Sequence, residues 1–170
     1  MMQTDVKQAH LNQSGFLYVG RTRIKGISIR GNTSNASQTD IFDTTVAPVS
    51  ATYAQTGYVV TVTSTAHGLT SGQTIGIAFS TGTGGAATNG NYVVTVTGAN
   101  TFTVTTINSL SITAGAACRY VPSAQWLMSL DLISGDTYQN YQLFPGEGIL
   151  ATQGIYAYLN NIAAVSIYYG

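Results

Sequence analysis

The segments that decide the fold read YVVTVT at residues 58–63, YVVTVT at residues 92–97 and TFTVT at residues 101–105. Apolar side chains alternate with threonine in each of them. Successive side chains of an extended strand point to opposite faces, so the alternation predicts half-buried β-strands, with the even-numbered residues of the first segment sharing one face. Residues 75–79, IGIAF, predict a further strand, and the glycine and asparagine between these runs are typical of tight turns.

The most unusual feature of the composition is a lack of charge. The 75 residues from Thr44 to Cys118 contain no aspartate, glutamate, lysine or arginine, yet they hold 19 of the 25 threonines. Six acidic and six basic residues leave a formal net charge of zero over the whole chain. This balance offers no attraction to nucleic acid or to an anionic membrane, and no run approaches the length, about 20 apolar residues, that spans a bilayer. Weakly charged proteins tend to associate, which predicts a homo-oligomer or a subunit of a larger assembly.

Charge also predicts how the 170-residue chain is organised. Residues 1–46 include a polar start and are too short to form a stable core alone. We therefore predict that they combine with residues 117–170 in one β-sandwich-like base domain. Residues 47–116 are predicted to form a small charge-free β-module inserted in a loop of that base. Residues 1–5 lack the apolar core of a secretory signal, which predicts synthesis in a cytoplasm.

The base segments also predict strands. Residues 16–30 predict a strand or hairpin on which Arg21, Arg23 and Lys25 share one face. The alternation slips by one residue at Lys25–Gly26, which predicts a β-bulge there. Further strands are predicted after the insertion at residues 125–133, 142–144, 154–159 and 165–169.

Two parts of the chain resemble phage proteins. The insertion resembles a small β-module that recurs in bacteriophage virion proteins, through residues 66–69 (AHGL), 89–94 (NGNYVV) and 100–104 (NTFTV). The flanking segments are similar to a short β-sandwich protein encoded among phage structural genes, through residues 20–27 (GRTRIKGI) and 143–149 (LFPGEGI).

The resemblance implies a non-enzymatic structural protein of a phage virion that needs no cofactor or metal. The first kind of structural protein that the resemblance implies is a capsid decoration or cement subunit on the outer capsid surface. Such a subunit binds the major capsid protein or another virion protein and stabilises the particle. A trimer is one arrangement in which small neutral β-modules pack against one another and so enlarge their buried core. The alternative is a tail or fibre component that binds a host glycan or receptor.

Four of the six basic residues, Arg21, Arg23, Lys25 and Arg30, fall within ten positions. Two aspartates follow them closely and the net charge is zero. We therefore predict a solvated face or an ion-paired interface with an acidic virion partner, rather than a phosphate-binding patch.

Aromatic residues supply a second candidate surface. Tyr138 and Tyr141 stand among polar residues and are predicted to be exposed, where they would serve a protein interface or a glycan. Trp126 lies in an apolar strand and is predicted to belong to the core, with a sugar-stacking platform as the other interpretation.

Two residue types that often carry chemistry are interpreted as structural. His67 has no Cys, Asp or Glu nearby and is predicted to hydrogen-bond its own turn rather than to bind metal or act in catalysis. Cys118 is the single cysteine of the chain, so it forms no internal disulfide, and it is predicted to be a small buried hydrophobe.

The acidic and glycine-rich motifs are also interpreted as structural. Asp40 with Asp43, and Asp131 with Asp136, match neither an EF-hand nor the paired carboxylates of a glycosidase. They are predicted to be solvated strand ends, with calcium at a subunit interface as the alternative. Residues 82–87, GTGGAA, lack the lysine of a phosphate-binding loop and are predicted to be a mobile tip.

Overall fold

The computed structural model describes residues 6–32 and 36–170, and every regular element within those ranges is a β-strand. The predicted all-β class is therefore confirmed. The chain divides into two units. The sandwich unit comprises the described residues up to Ala47 together with Leu127–Gly170, and the module comprises Pro48–Trp126. The expectation drawn from residues 1–5 lies outside the described residues.

Two antiparallel sheets build the sandwich unit. One has the order β1-β14-β3-β11, with β12 also paired to β3, and the other has the order β10-β4-β13-β2. The strands are β1 (Lys7–Leu11), β2 (Gly15–Val19), β3 (Thr22–Gly31), β4 (Ser37–Asp43), β10 (Gln125–Leu132), β11 (Gln139–Leu143), β12 (Ile149–Ala151), β13 (Gly154–Asn160) and β14 (Ile162–Tyr169).

One core lies between these two sheets. β3 and β14 contribute branched aliphatic side chains from the first sheet, and β4 and β13 contribute theirs from the second. Burying one such side chain contributes about 1.5–3 kcal/mol, so this layer is the main stabilising feature of the unit. The fully buried members include Ile24, Ile27, Ile41, Ile155, Ala157, Val165 and Ile167.

The predicted β-bulge is present in β3. Tyr168 pairs with Gly26 whereas the next residue, Tyr169, pairs with Ile24, so Lys25 is the extra residue. The bulge restores the alternation and lets Ile24 and Ile27 both enter the core. The predicted single strand or hairpin over residues 16–30 is wrong, because β2 and β3 belong to different sheets and pair with different partners.

The module is one five-stranded antiparallel sheet. Its strands are β5 (Val49–Thr63), β6 (Thr74–Phe79), β7 (Gly90–Val93), β8 (Thr95–Gly98) and β9 (Thr101–Pro122). β5 follows one edge of the long strand β9. On the other edge, β8 pairs with the beginning of β9 and β6 pairs with its end, while β7 joins β6 to β8. The buried side chains of these strands pack into one apolar interior.

The predicted alternation fills that interior. Val60, Val62, Phe102 and Val104 are buried, and the threonines between them face outward or lie half-buried. Tyr58 is the exception, since it is 55% exposed although it was predicted to share the face of Val60. The cause is a shift of register between Gly57 and Val59, which moves Tyr58 out of the alternation.

The module ends later than the charge pattern suggested. The sequence predicted boundaries after residues 46 and 116, whereas the module runs from Pro48 to Trp126. Arg119, which ends the uncharged stretch, lies inside β9 and pairs with Ala78 of β6. A change in charge therefore marked the middle of a strand rather than its end.

Candidate functional site

The four basic residues singled out in the sequence do not form one patch. Arg21 is in the turn after β2, and Arg23, Lys25 and Arg30 are on β3. Arg30 lies seven positions beyond Arg23 on β3, which corresponds to about 20 Å at the usual rise per residue. Arg30 is therefore remote from the other three.

Arg21 and Arg23 instead meet Lys7, a residue that the sequence did not single out. These three residues line a cleft of about 410 Å³ at one end of the sandwich unit, together with Tyr18, Thr22, Leu150, Tyr169 and Gly170. We call this the basic cleft. Lys7 enters it because β1 pairs with β14 and places Lys7 opposite Tyr169. Only that long-range pairing reveals Lys7, and no local signal in the sequence indicates it.

Two tyrosines form an aromatic wall in the basic cleft. The rings of Tyr18 and Tyr169 lie with centroids 4.8 Å apart and planes inclined by 43°. They come from different sheets, so the wall bridges the end of the sandwich. Both side chains are half-buried, which leaves part of each ring accessible from the cleft.

The cationic groups near this cleft are incompletely neutralised. Among the described residues, the ion pair is that of Arg23 Nε with Glu147 Oε2, at 3.8 Å, and the Glu147 side chain is 83% exposed. Lys25 Nζ donates to the backbone oxygen of Glu147 at 3.1 Å. Exposed ion pairs of this kind contribute at most about 1 kcal/mol, so the pairing of Arg23 with Glu147 is weak.

The predicted exposed tyrosines lie on and beside an edge strand. β11 ends its sheet, and all five of its residues, Gln139–Leu143, are exposed and uncharged. Tyr138 is 82% exposed, Tyr141 52% and Leu143 61%. The predicted exposure of both tyrosines is confirmed. We call this surface the β11 edge.

The ring of Tyr141 is held in place by its neighbours. It packs edge-on against Tyr168 of β14, with ring centroids 5.4 Å apart and an interplanar angle of 89°. A Cβ at Gly26 would lie 3.1 Å from the Tyr141 hydroxyl, so glycine permits this close approach. Tyr141, Tyr168 and Leu143 thus form a positioned aromatic and aliphatic surface rather than a set of freely rotating side chains.

The prediction that Asp40 and Asp43 are solvated strand ends is wrong, because both are buried. The Asp43 carboxylate accepts hydrogen bonds from Thr152 N and Oγ1, Gln153 N and Gly154 N at 2.7 to 3.1 Å. Burial raises the pKa of Asp43, but these hydrogen bonds outweigh it and hold the pKa below its ordinary value of 3.8. Asp43 therefore fixes the turn between β12 and β13.

Asp40 is also engaged within the fold. Its Oδ1 accepts hydrogen bonds from Gln38 Nε2 at 3.0 Å and from Ser129 Oγ. Asp136 accepts from Tyr138 N at 3.1 Å and Asn140 Nδ2 at 3.0 Å, so it shapes the loop before β11. Asp131 is exposed at a strand end, as predicted.

The described residues contain no group of three or more His, Cys, Asp or Glu side chains that could hold a metal ion. The acids that sequence reasoning paired therefore act singly. They stabilise turns and strand ends, and the calcium alternative receives no support from their positions.

His67 has the structural role that was predicted. Its Nδ1 accepts a hydrogen bond from Leu69 N at 3.0 Å, within its own turn, and Nε2 lies 2.9 Å from Gly98 O. The neutral tautomer with the proton on Nε2 satisfies both contacts. The ring also packs edge-on against Phe102 at 5.3 Å, so it forms part of the module.

Cys118 is a small buried hydrophobe, as predicted. It is fully buried and is a free cysteine. Burial raises the pKa of its thiol to about 12. The thiolate, which is the nucleophilic form, is therefore scarce at neutral pH.

Two further predictions concern Trp126 and residues 82–87. Trp126 is half-buried rather than part of the core, and its backbone N and O both bond to the side chain of Asn91. Residues 82–87 form a hydrogen-bonded turn, in which Gly82 and Gly85 exchange two backbone hydrogen bonds and Thr83 O accepts from Thr113 N at 3.0 Å. Ala87 is buried at the end of this turn.

Within residues 6–32 and 36–170, no helix is long and apolar enough to cross a membrane. Comparison of the chain with protein-family models finds no match, and a search of curated proteins finds no significant match.

Proposed function

We propose that this chain is a non-enzymatic structural subunit of a bacteriophage virion, most simply a capsid decoration or cement protein that binds the major capsid protein. The phage assignment rests on the sequence resemblances of the insertion and its flanks. The observation that supports an assembly role is the β11 edge. It combines an unpaired strand edge with uncharged, positioned aromatic and aliphatic side chains.

The free edge of β11 is suited to binding another protein. An edge strand presents backbone donors and acceptors that another strand can pair with, and monomeric proteins usually protect such edges with lysine, proline or a short strand length. β11 carries no charge and no proline over Gln139–Leu143. Leu143 and Tyr141 add apolar area where a partner would pack, which favours a protein interface.

Repetition makes such a contact useful on a particle. A standard interface buries about 1,200–2,000 Å². When a subunit binds a symmetric shell at many equivalent places, modest single contacts combine into strong reinforcement. A homo-oligomer, with a trimer as one form, would add contacts between the decoration subunits themselves.

The first test is addition of the purified protein to capsids assembled without it. The expected results are sedimentation with the capsids and an increased resistance of the particles to heat. The double variant Tyr141→Ser/Leu143→Ser should fold normally and lose this binding. Val19→Ser is the matched control, because Val19 is 64% exposed on β2, the edge strand of the other sheet. Absence of binding by the unaltered protein would reject the cement role.

The alternative is a tail or fibre component that binds a host glycan or receptor through Tyr138 and Tyr141. The exposed ring of Tyr141 beside Tyr168 is the feature that favours it. Neutral glycan binding that Tyr141→Ser abolishes, without any binding to capsids, would support this alternative over the cement role.

A further inference from the structure

We infer that the basic cleft is a binding site for a sugar that carries oxyanion groups, such as carboxylate, phosphate or sulfate. This inference does not depend on the proposed assembly role, since the cleft and the β11 edge have different residues. Three observations support this inference. Three cations line the cleft, an aromatic wall lies beside them, and the cleft is small and separate from the other basic residues of β3.

The first observation is the convergence of positive charge. Lys7, Arg21 and Arg23 come from β1, the turn after β2 and β3, and all three line the same cleft. Half of the six basic residues of a chain with zero net charge are thus at one place. Like charges repel at short range, so such a grouping is most stable when an anion lies among them. Arginine offers forked donors that match carboxylate and phosphate oxygens.

The second observation is the aromatic wall. Tyr18 and Tyr169 place ring surface and hydroxyl groups beside the cations, and Thr22 adds a hydroxyl. A simple ion needs only the charges and gains nothing from ring faces. A sugar ring presents a C–H face that packs on an aromatic ring and hydroxyls that bond to polar groups at its margin. The combination therefore favours a charged sugar over a free ion.

The third observation is the size and isolation of the cleft. Its volume of about 410 Å³ lies in the range of small-molecule sites, about 300–1,000 Å³, and suits one or two sugar rings. Nucleic acid requires a longer cationic track along its backbone. β3 does not extend this cationic surface, because Lys25 is hydrogen-bonded to Glu147 and Arg30 is about 20 Å from Arg23.

The test is calorimetric titration of the full chain with trigalacturonate, maltotriose, inorganic phosphate and a hexaglutamate peptide. We expect trigalacturonate to bind, its affinity to fall as salt is added, and maltotriose and phosphate to bind at least about tenfold more weakly. The double variant Lys7→Gln/Arg21→Gln should lose about tenfold or more in affinity. Both residues are exposed, so thermal unfolding should be unchanged.

Arg30→Gln is the control, because it removes an exposed positive charge from β3 outside the cleft and should leave the affinity unchanged. Tyr169→Leu tests the aromatic wall and should weaken trigalacturonate but not phosphate. The inference is overturned by equal binding of maltotriose, by equal binding of phosphate, by tighter binding of the peptide, or by an equal loss in Arg30→Gln. Capsid binding is measured separately, so either proposal can fail alone.

Discussion

The two units of this protein use different side chains as acceptors for backbone N–H groups that lie outside the strand ladders. Turns and strand ends leave backbone N–H groups that need acceptors. The sandwich unit satisfies one such turn with a buried carboxylate, Asp43. The module uses neutral amides instead: Asn100 Oδ1 accepts from Ala66 N at 2.8 Å, and Asn89 Oδ1 accepts from Phe79 N at 2.7 Å.

This difference has a consequence for stability. A carboxylate binds backbone donors more strongly than an amide does, but only while it is ionised. An amide is insensitive to pH. Arg119 is the one charged residue in Pro48–Trp126. The sandwich unit therefore gains strength from an ionised carboxylate and becomes sensitive to the protonation of that group, whereas Pro48–Trp126 contain no carboxylate side chain.

The largest expected effect comes from the core of the module. Phe102 is fully buried against Tyr120 and His67, so Phe102→Ala removes a whole ring and should destabilise the module by about 4 kcal/mol. Thiol labelling of Cys118 measures this, because the buried thiol reacts only when the module opens. Val59→Ala, at an exposed site, should leave the labelling rate unchanged. Equal labelling of Phe102→Ala and the unaltered protein would contradict this prediction.

Removal of the buried carboxylate should have the next largest effect. Asp43→Ala deletes the acceptor of four hydrogen bonds and should destabilise the sandwich unit by about 3 kcal/mol at pH 7. Amide hydrogen exchange in β12 and β13 provides the measurement. Asp131→Asn is the control, since that residue is exposed and should change exchange little. An effect of Asp43→Ala no larger than that of the control would show that the turn does not depend on the carboxylate.

Acid should separate the two units. The pKa of Asp43 is lowered in the folded state, so its contribution is fully present above the ordinary value of 3.8 and is lost as the pH falls through the lower, folded value. Protection against exchange, corrected for the intrinsic pH dependence of amide exchange, should therefore fall in the sandwich unit as the pH is lowered from about 4.5 to about 3, while it stays constant in the module, whose sequence has no carboxylate side chain. In Asp43→Ala the acid-dependent part should shrink. A module that opens in parallel with the sandwich unit would contradict the comparison.

Substitution of Asn100 should have a smaller effect, and one such substitution should make the stability of the module sensitive to acid. Asn100→Ala should cost the module about 1 kcal/mol, because Ala66 N loses its acceptor. Asn100→Asp keeps an acceptor and should change stability at pH 7 by less, yet the module should then weaken in acid. Cys118 labelling between pH 7 and pH 3, with a reagent active over that range, measures both. Acid-independent labelling of Asn100→Asp would show that this acceptor is unimportant.

The smallest effect is expected for charge on the outer face of the module. Val59 and Thr105 are exposed partners across β5 and β9. Val59→Lys with Thr105→Glu should change stability by less than about 0.5 kcal/mol, because an exposed pair on a sheet contributes little. Urea unfolding measures stability, and light scattering measures association. A large loss of stability would mean that the fold itself requires the neutral surface.

Part of the fold could be read directly from local patterns. Alternation identified Val60, Val62, Phe102 and Val104 as strand residues, because the two faces of a strand meet different environments. The slip at Lys25–Gly26 revealed a bulge for the same reason. Tyr58 was misread because the register shift beside it depends on how β5 pairs with β9, and a single strand does not record its partner's register.

The candidate site was less predictable. Exposure of Tyr138 and Tyr141 followed from their polar neighbours. The basic residues were read as one patch because they are close in sequence, whereas a strand spreads neighbours along its length and pairing brings Lys7 from far away. The aspartates were read as solvated, since nothing local indicates that three backbone N–H groups beyond residue 150 converge on Asp43.

The sequence by itself determined the all-β class, the alternation of buried and exposed side chains, the bulge and the neutral character of the module. These properties depend on residues within a few positions of one another, where chain geometry is fixed by covalent connection. The tertiary structure decided the strand pairings around β9 in the module, the burial of Asp40 and Asp43 and the assembly of the basic cleft. Each of these depends on pairing between distant strands, which sets register and brings together residues that the chain keeps far apart.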